Sequence, residues 1–399
     1  MNSKTKIIIV GAGYAGLQAL EILCKNNNNE IYLFDKHPYH YLQTEVYNFI
    51  ANEHDFSKIT IDLFTYTHGF ESNVTFYKEE IMHIDFQNKK ISTNIQRYAY
   101  DYLVIAVGSR TKFVNNMKGL KEYAHGVKSL QSALYFKQKF ELSLFKKIEE
   151  EGRQCTPLNI VIAGAGLSGV EIAAQMASFS NDFYKENHFL CRKLNIVIIN
   201  SSANILKGVD KHLVKKSTSR LNVLGVQIKN NTRVLEIQQD RVILTNNETM
   251  MMDFMIFTGG IEPNQLIFDL ELEKNEKNFL VVNEYLQCSG HECVFAIGDC
   301  TTLWDKQNNP IASTADVAEQ MGYLCADNIT SLIQKKPLRK HTISSRGILI
   351  AIGKKYTVGK LFGFYIKGYF AYLIKKIVEL VYEKKLNYRA NRGASKIFK

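Results

Sequence analysis

Short, continuous apolar runs recur at wide intervals along the chain, and several of them end in glycine. Ile7-Ile8-Ile9-Val10 is the first, the pattern of a strand buried on both faces. Gly11-Ala12-Gly13-Tyr14-Ala15-Gly16 follows at once, and Leu17, Leu20, Ile22 and Leu23 then repeat at helical spacing. A polar turn over Asn26–Asn29 leads to a second strand, Glu30–Phe34, which ends at Asp35. This order predicts a β-turn-α-β unit. It returns later as the strand Leu158–Ile162, Gly164-Ala165-Gly166-Leu167-Ser168-Gly169, a helix and the strand Leu194–Ile199. Between the units lie a strand Tyr102–Val107 ending at Gly108 and a helix over Ser129–Glu149. After them come short alternating stretches (Val226–Ile228, Arg241–Thr245), then Met255–Phe257 before Thr258-Gly259-Gly260. A further strand Val294–Ile297 reaches Gly298-Asp299, and a helix is predicted over Ala312–Leu332. The fold class is therefore α/β, with two Rossmann-like dinucleotide-binding domains.

Each glycine has a separate task. Gly11 permits the tight strand-to-helix turn, Gly13 leaves room for a pyrophosphate, and Gly16 lets the helix pack close on the strand. The helix N-terminus offers unpaired N–H groups to phosphate. Asp35 stands nineteen residues past Gly16 at a strand end, where an acid bonds ribose hydroxyls. Gly164, Gly166 and Gly169 repeat the pattern, but the strand-end residue there is Asn200. An amide can bond a ribose hydroxyl and lacks the charge that repels a 2′-phosphate. No Arg follows it to clamp one, which favours NAD(H). Two cradles imply two dinucleotides: a tightly held, non-covalent FAD, and NADH as substrate, with Gly259 counted among the nucleotide-binding residues. Hydride then passes from nicotinamide to flavin.

The composition is that of an ordinary globular enzyme, 46% hydrophobic and 22% charged, which excludes collagen-like and broadly disordered classes. No apolar run is long enough to span a bilayer and no signal-peptide layout opens the chain. Seven scattered cysteines do not form a secreted disulfide framework. Residues 36–60 hold no Cys, so a Cys-x4-Cys thiol-disulfide reductase is excluded. Cys288, His291, Cys293 and Cys300 have zinc-ligand chemistry, but a strand over Val294–Ile297 separates Cys300 from the rest, and no metal is expected.

The net charge of +11 is concentrated near the end. Residues 354–399 carry twelve Lys or Arg against Glu379 and Glu383, leaving about +1 for residues 1–353. Such a tail calls for an anionic partner. A helix is predicted over Phe362–Val381, with Phe362, Ile366, Tyr369, Phe370, Leu373, Ile377, Leu380 and Val381 on one face and Lys367, Lys375, Lys376 and Glu379 off it. A basic amphipathic helix rich in aromatics suits an anionic membrane surface. The same stripe also suits packing on the protein's own core or on a second copy in a homodimer. The aromatics are not interleaved with the cations, so nucleic acid is not expected.

In these residues the chain resembles the two-dinucleotide flavoproteins, and within them the type II (single-subunit, non-proton-pumping) NADH:quinone oxidoreductases. Asp35-Lys36-His37-Pro38-Tyr39-His40-Tyr41-Leu42-Gln43 is similar to that family's segment after the first acid. Ala106-Val107-Gly108-Ser109 resembles its flavin-domain turn, and Val170-Glu171 its continuation of the second glycine motif. Phe295-Ala296-Ile297-Gly298-Asp299-Cys300 is similar to the closing flavin motif. Thr314-Ala315-Asp316-Val317-Ala318-Glu319-Gln320 is similar to the quinone-side helix.

The resemblance implies that Asp299 bonds the flavin ribityl chain, that Glu171 sits beside nicotinamide and flavin, and that Gln320 lies in a quinone pocket, with Glu171 and Gln320 as the catalytic pair. It implies a membrane quinone as partner and a peripheral location on the cytoplasmic face of the plasma membrane. Two positions depart from the family: Asp316 replaces a Gln, and Asn200 an acid. A sulfide:quinone oxidoreductase-like flavoprotein and a membrane-bound flavin/NAD(H) redox sensor with little turnover are the alternatives. The expected domains are 1–115 and 285–340 for FAD, 116–284 for NAD(H), and 341–399 for membrane docking.

Overall fold

A computed structural model describes residues 4–70, 73–114, 117–151, 157–186, 194–305 and 310–398. The expected boundary at residue 115 lies outside the described residues.

The first apolar run forms the strand Thr5–Val10 at the centre of a five-stranded parallel sheet. In spatial order the strands are Val294–Ala296, Tyr102–Ile105, Thr5–Val10, Asn29–Asp35 and Val74–Lys78. Ile7, Ile8 and Ile9 are wholly buried because the sheet is covered on both faces. On one face lie the helices Tyr14–Leu23 and Ala315–Ile333, packed on each other. On the other lies a three-stranded antiparallel sheet, Ile81–Asp85, Lys90–Thr93 and Arg97–Ala99, whose Ile84, Ile91 and Tyr98 pack against Ile8 and Phe34.

The second unit repeats this layering. Its parallel order is Ala124–His125, Phe254–Phe257, Asn159–Ala163, Asn195–Ile199 and Gln227–Lys229. The helix Leu167–Glu186 covers one face, and an antiparallel sheet of Val234–Ile237, Arg241–Leu244 and Thr249–Met251 covers the other. The two units are joined where Ser109–Thr111 pairs antiparallel with Ile261–Pro263. Arg110 Nε donates to Glu262 across this ribbon at 2.8 Å.

The terminal region departs from expectation. Phe362–Lys367 is not helical. Thr357–Leu361 and Phe364–Lys367 form a hairpin, with Gly347–Ala351 as a third strand. Phe362 and Gly363 both have positive φ (48° and 88°), as a two-residue hairpin loop requires. The helix runs over Gly368–Ile397 instead. Its orientation is also the reverse of a simple amphipathic helix. Ala371, Lys375, Glu379, Tyr382, Leu386 and Gly393 turn toward the body. Phe370, Ile377, Val378 and Val381 face outward. Gly393 lies against the Thr65 carbonyl, closer than any Cβ would allow. Among the described residues no helix is long and apolar enough to cross a membrane.

Candidate functional site

Both glycine motifs have the same geometry. Gly11 and Gly164 have φ of +106° and +119°, conformations that L side chains rarely adopt. A Cβ at Gly16 would strike the Gly11 carbonyl, and one at Gly169 the Gly164 carbonyl. Gly13 and Gly166 differ from their neighbours: a Cβ there would meet nothing within 4 Å. No protein contact therefore demands glycine at these two positions. The space they leave open is where the helix N–H groups converge, and it fits a pyrophosphate.

The first cradle is closed by its surroundings. Asp35 accepts the Ala12 N–H at 2.8 Å and the His37 N–H at 2.9 Å, and burial raises its pKa. His40 is fully enclosed, which lowers its pKa to about 4 and keeps it neutral. Its Nδ1 therefore carries the proton and donates to the Ala12 carbonyl at 2.8 Å. Nε2 is left to accept from Tyr382 OH at 3.3 Å. Tyr382 also stacks on Tyr14, with ring centroids 5.1 Å apart, so the terminal helix seals the outer side of the glycine loop.

Gly108 and Asp299 follow adjacent strands at the same sheet edge as Asp35, the carboxyl end where parallel sheets take ligands. Asp299 Oδ2 accepts from Ser109 Oγ and from Lys128 Nζ, each at 3.1 Å, and Lys128 Nζ also donates to Ser109 Oγ at 2.7 Å. Oδ1 has no protein partner among the described residues and is available to a ligand hydroxyl. Asp299, Thr301, Thr314 and Met321 border a crevice at the N-terminus of the helix Ala315–Ile333.

In the second unit, Asn200 and Gly259 likewise stand at the carboxyl ends of their strands. Gly259 sits against the Phe257 ring, where a Cβ would collide. Thr258 Oγ1 donates to the Gly164 carbonyl at 3.0 Å, tying this strand end to the cradle.

Glu171 and Gln320 are not joined to each other by any hydrogen bond or ion pair among the described residues. Both instead meet the segment that follows the helix Ala315–Ile333. Glu171 is buried and accepts the Ala351 N–H at 2.8 Å. Gln320 donates to the Ser344 carbonyl at 2.9 Å and to Asp316 at 3.0 Å, and Asp316 lies 3.7 Å from Arg346. Asp316 thus orients Gln320.

Glu171 opens onto an ionic cluster assembled from distant parts of the chain. Lys375 Nζ lies 3.7 Å from Glu171 and 3.1 Å from Glu379. Lys376 lies 4.0 Å from Glu45 and 3.9 Å from Glu379, and His54 Nδ1 is 3.2 Å from Glu45. Burial raises the pKa of Glu171 against the opposing pull of Lys375 and the Ala351 N–H. Burial likewise lifts Glu379 to about 7. For Glu45 burial acts upward too, but the His54 and Lys376 contacts outweigh it and hold the group near 2. Burial alone would depress Lys375, yet Glu171 and Glu379 keep it cationic. The one signal of this cluster in the sequence was the i, i+4 Lys375–Glu379 pair on a helix whose polar face looked solvent-directed.

Among the described residues, the tail cations Lys354, Lys360, Lys375, Lys376, Lys385 and Arg389 pair with carboxylates of the body. Much of the tail's charge is therefore answered within the molecule. The buried thiols are unreactive in character. Burial pushes Cys300 up to about 12, and Cys288 and Cys325 are also raised. Cys300 donates to the Ile105 and Ile297 carbonyls. Among the described residues no group of His, Cys, Asp or Glu is arranged to hold a metal.

Two parallel sheets, each opening at its carboxyl edge on its own glycine cradle, define a two-dinucleotide oxidoreductase fold. The chain belongs to the pyridine nucleotide-disulphide oxidoreductase family, whose model matches residues 5–322. It is 24% identical over 385 residues to a type II NADH:quinone oxidoreductase of Staphylococcus saprophyticus, covering 95% of each chain. Its fold is similar to that of NDH2 from Plasmodium falciparum in complex with NADH (TM-score 0.84, 20% identity, 98% and 97% of the two chains). It is also similar to the sulfide:quinone oxidoreductase of Aquifex aeolicus (TM-score 0.81, 19% identity, 98% and 92%).

Proposed function

We propose that this protein is a peripheral-membrane NADH:quinone oxidoreductase that holds FAD in the first cradle and takes NADH in the second. The overall reaction is NADH + H⁺ + quinone → NAD⁺ + quinol, without proton pumping. The observation that carries the reading is the pair of like cradles on like sheets, with Asp35 and Asp299 flanking the first. Bound FAD supplies the two-electron exchange between the nicotinamide and the quinone. The chain's own residues do the rest. Gly13 and Gly166 leave space for the pyrophosphates, Asp35 meets ribose hydroxyls, and the free Oδ1 of Asp299 meets the ribityl chain. Glu171 stands at the head of the second cradle's helix, and Gln320 is aimed by Asp316 and Ser344 toward the quinone. Among the described residues, burial of Cys288, Cys300 and Cys325 disfavours a thiolate at those three positions.

The outward apolar surface supports membrane docking. Phe362 and Phe364 at the hairpin tip are 81% and 77% exposed, and Phe370, Ile377 and Val381 continue that surface along the helix. We place it on the cytoplasmic face of the plasma membrane, with a second copy as an alternative cover for the same surface. Exposed contiguous apolar surface of this kind marks an interaction site.

Anaerobic stopped-flow absorbance tests the reading. Flavin bleaching on mixing with NADH and rapid recovery on adding a soluble quinone are expected. Bleaching by sulfide and not by NADH would replace it with the sulfide-oxidising alternative. Bleaching by NADH with slow recovery on every quinone would make the protein a redox sensor.

A further inference from the structure

The terminal-helix cations Lys375, Lys376 and Arg389 are answered by carboxylates of the body, so charge for an outside partner has to come from elsewhere. Residues 207–220 of the nucleotide unit supply it. They carry Lys207, Lys211, Lys215, Lys216 and Arg220 against Asp210 alone, a net charge of +4. Asp210 is itself answered, since it accepts from Tyr365 OH at 2.7 Å and from Lys360 Nζ at 3.1 Å. Lys207, Lys211 and Lys215 are exposed, and none of them makes an ion pair or a side-chain hydrogen bond among the described residues. Lys211 and Lys215 stand one turn apart on the helix Lys211–Val223 and share a face.

This helix runs along the terminal hairpin in a defined direction. Near its C-terminal end, the Arg220 guanidinium lies 4.6 Å from the centre of the Tyr356 ring, just before the hairpin's first strand. At its N-terminal end, the His212 ring lies 4.6 Å from that of Tyr365. Tyr365 pairs with Lys360, one step from Leu361 and Phe364, the last pair before the turn at Phe362-Gly363. The first turn of the helix therefore stands beside the hairpin tip, where Phe362 and Phe364 are exposed. Unpaired ammonium groups next to exposed aromatic rings match the two layers of a bilayer surface, phosphate outside and acyl chain within. We propose that Lys207, Lys211 and Lys215 dock the phosphodiester headgroups of anionic phospholipids beside that tip. The nucleotide unit then supplies charge, and the terminal region apolar surface, to one membrane contact. This rests on the membrane-docking reading above and assigns its electrostatic part to a helix outside the tail.

The test is co-sedimentation of the flavin-loaded full chain with two kinds of vesicle. One is phosphatidylcholine alone, the other phosphatidylcholine and phosphatidylglycerol in equal parts. Replacing Lys207, Lys211 and Lys215 together by Gln is expected to weaken binding to the anionic vesicles about a hundredfold, at ~1 kcal/mol for each lysine. Binding to the phosphatidylcholine vesicles is expected to stay the same. Unchanged binding of the triple variant to the anionic vesicles overturns the proposal. So does an equal loss on both kinds, the mark of a disturbed hairpin. Salt gives a second readout that needs no variant. Going from about 0.1 to about 1 M shortens the screening length from ~10 to ~3 Å and should strip the unmodified protein from the anionic vesicles. Binding to them that does not respond to salt overturns the proposal, even if a thermal melt shows that the triple variant fails to fold. If the unmodified protein sediments equally with both vesicles, the headgroup site alone fails. If it sediments with neither, the membrane-docking reading fails with it.

Discussion

Lys375 Nζ and the Glu171 carboxylate face each other at 3.7 Å, one from the terminal helix and the other from the helix that opens the second cradle. Both are largely shielded from water, so each depends on the other. Removing one member of a buried pair leaves an uncompensated charge. Lys375→Met should therefore destabilise the fold by about 3–5 kcal/mol. Adding Glu171→Gln to that variant should restore about 1–3 kcal/mol. The midpoint of urea denaturation for the four members of the cycle is the measurement. If Glu171→Gln changes stability equally with and without Lys375, the pair is not coupled.

Glu379 gives the fold a pH dependence of defined sign. Its ordinary pKa of 4.5 is raised by burial to about 7 in the folded protein. Between those values the folded state keeps a proton that the unfolded chain has released. That stabilisation is complete below about pH 4.5 and is lost as the pH rises through about 7. The loss amounts to about 1.4 kcal/mol per pKa unit separating the two states. Glu45, held near 2, acts in the opposite sense and only below about pH 4.5. Glu379→Gln should flatten the melting temperature between pH 4.5 and 7 while preserving the fall at lower pH. An unchanged slope in that window would assign it to other groups.

The glycine motif makes two separable predictions. A Cβ at Gly13 meets no protein atom, whereas one at Gly16 collides with the Gly11 carbonyl. Gly13→Val should fold with a near-native melting temperature and carry less than about a tenth of the normal flavin, because only the pyrophosphate's space is taken. Gly16→Val should lose both flavin and stability. The flavin-to-protein absorbance ratio and a thermal melt of the two variants decide the matter. A fully yellow Gly13→Val protein would remove the first cradle from the flavin site.

The outward surface can be tested without disturbing the packed face. Ile377→Glu and Val381→Glu alter residues that look away from the body. Each apolar side chain buried in a membrane contributes about 1.5–3 kcal/mol, so the double variant should lower co-sedimentation with anionic vesicles at least tenfold. Its reduction by NADH should persist. Retained sedimentation together with loss of a dimer on sizing would identify the covering partner as a second copy.

What the sequence could and could not reveal follows from the range of the interactions involved. The cradles were legible because the strand, the three glycines and the helix start lie within a few residues of one another. Asp35 was legible from its position at a strand end, whereas Gly108 and Asp299 were pointed to by the family resemblance. The terminal region was misread for a physical reason. Phe364, Tyr365 and Ile366 suit a strand as well as a helix, and only the positive φ at Phe362 and Gly363 decides between them. The polar face of the helix looked solvent-directed because its partners, Glu45 and Glu171, lie hundreds of residues earlier.

The terminal helix is synthesised after everything it touches. Until it docks, Glu21, Glu45 and Glu171 lack the Lys and Arg partners that the helix brings them. With the helix docked, Lys375, Lys376 and Arg389 face those carboxylates, and Phe370, Ile377, Val378 and Val381 are left outermost. Assembly thus ends by converting an acidic, water-loving face into a greasy one. The packing that answers those acids is therefore the same packing that sets the outward apolar side chains in place.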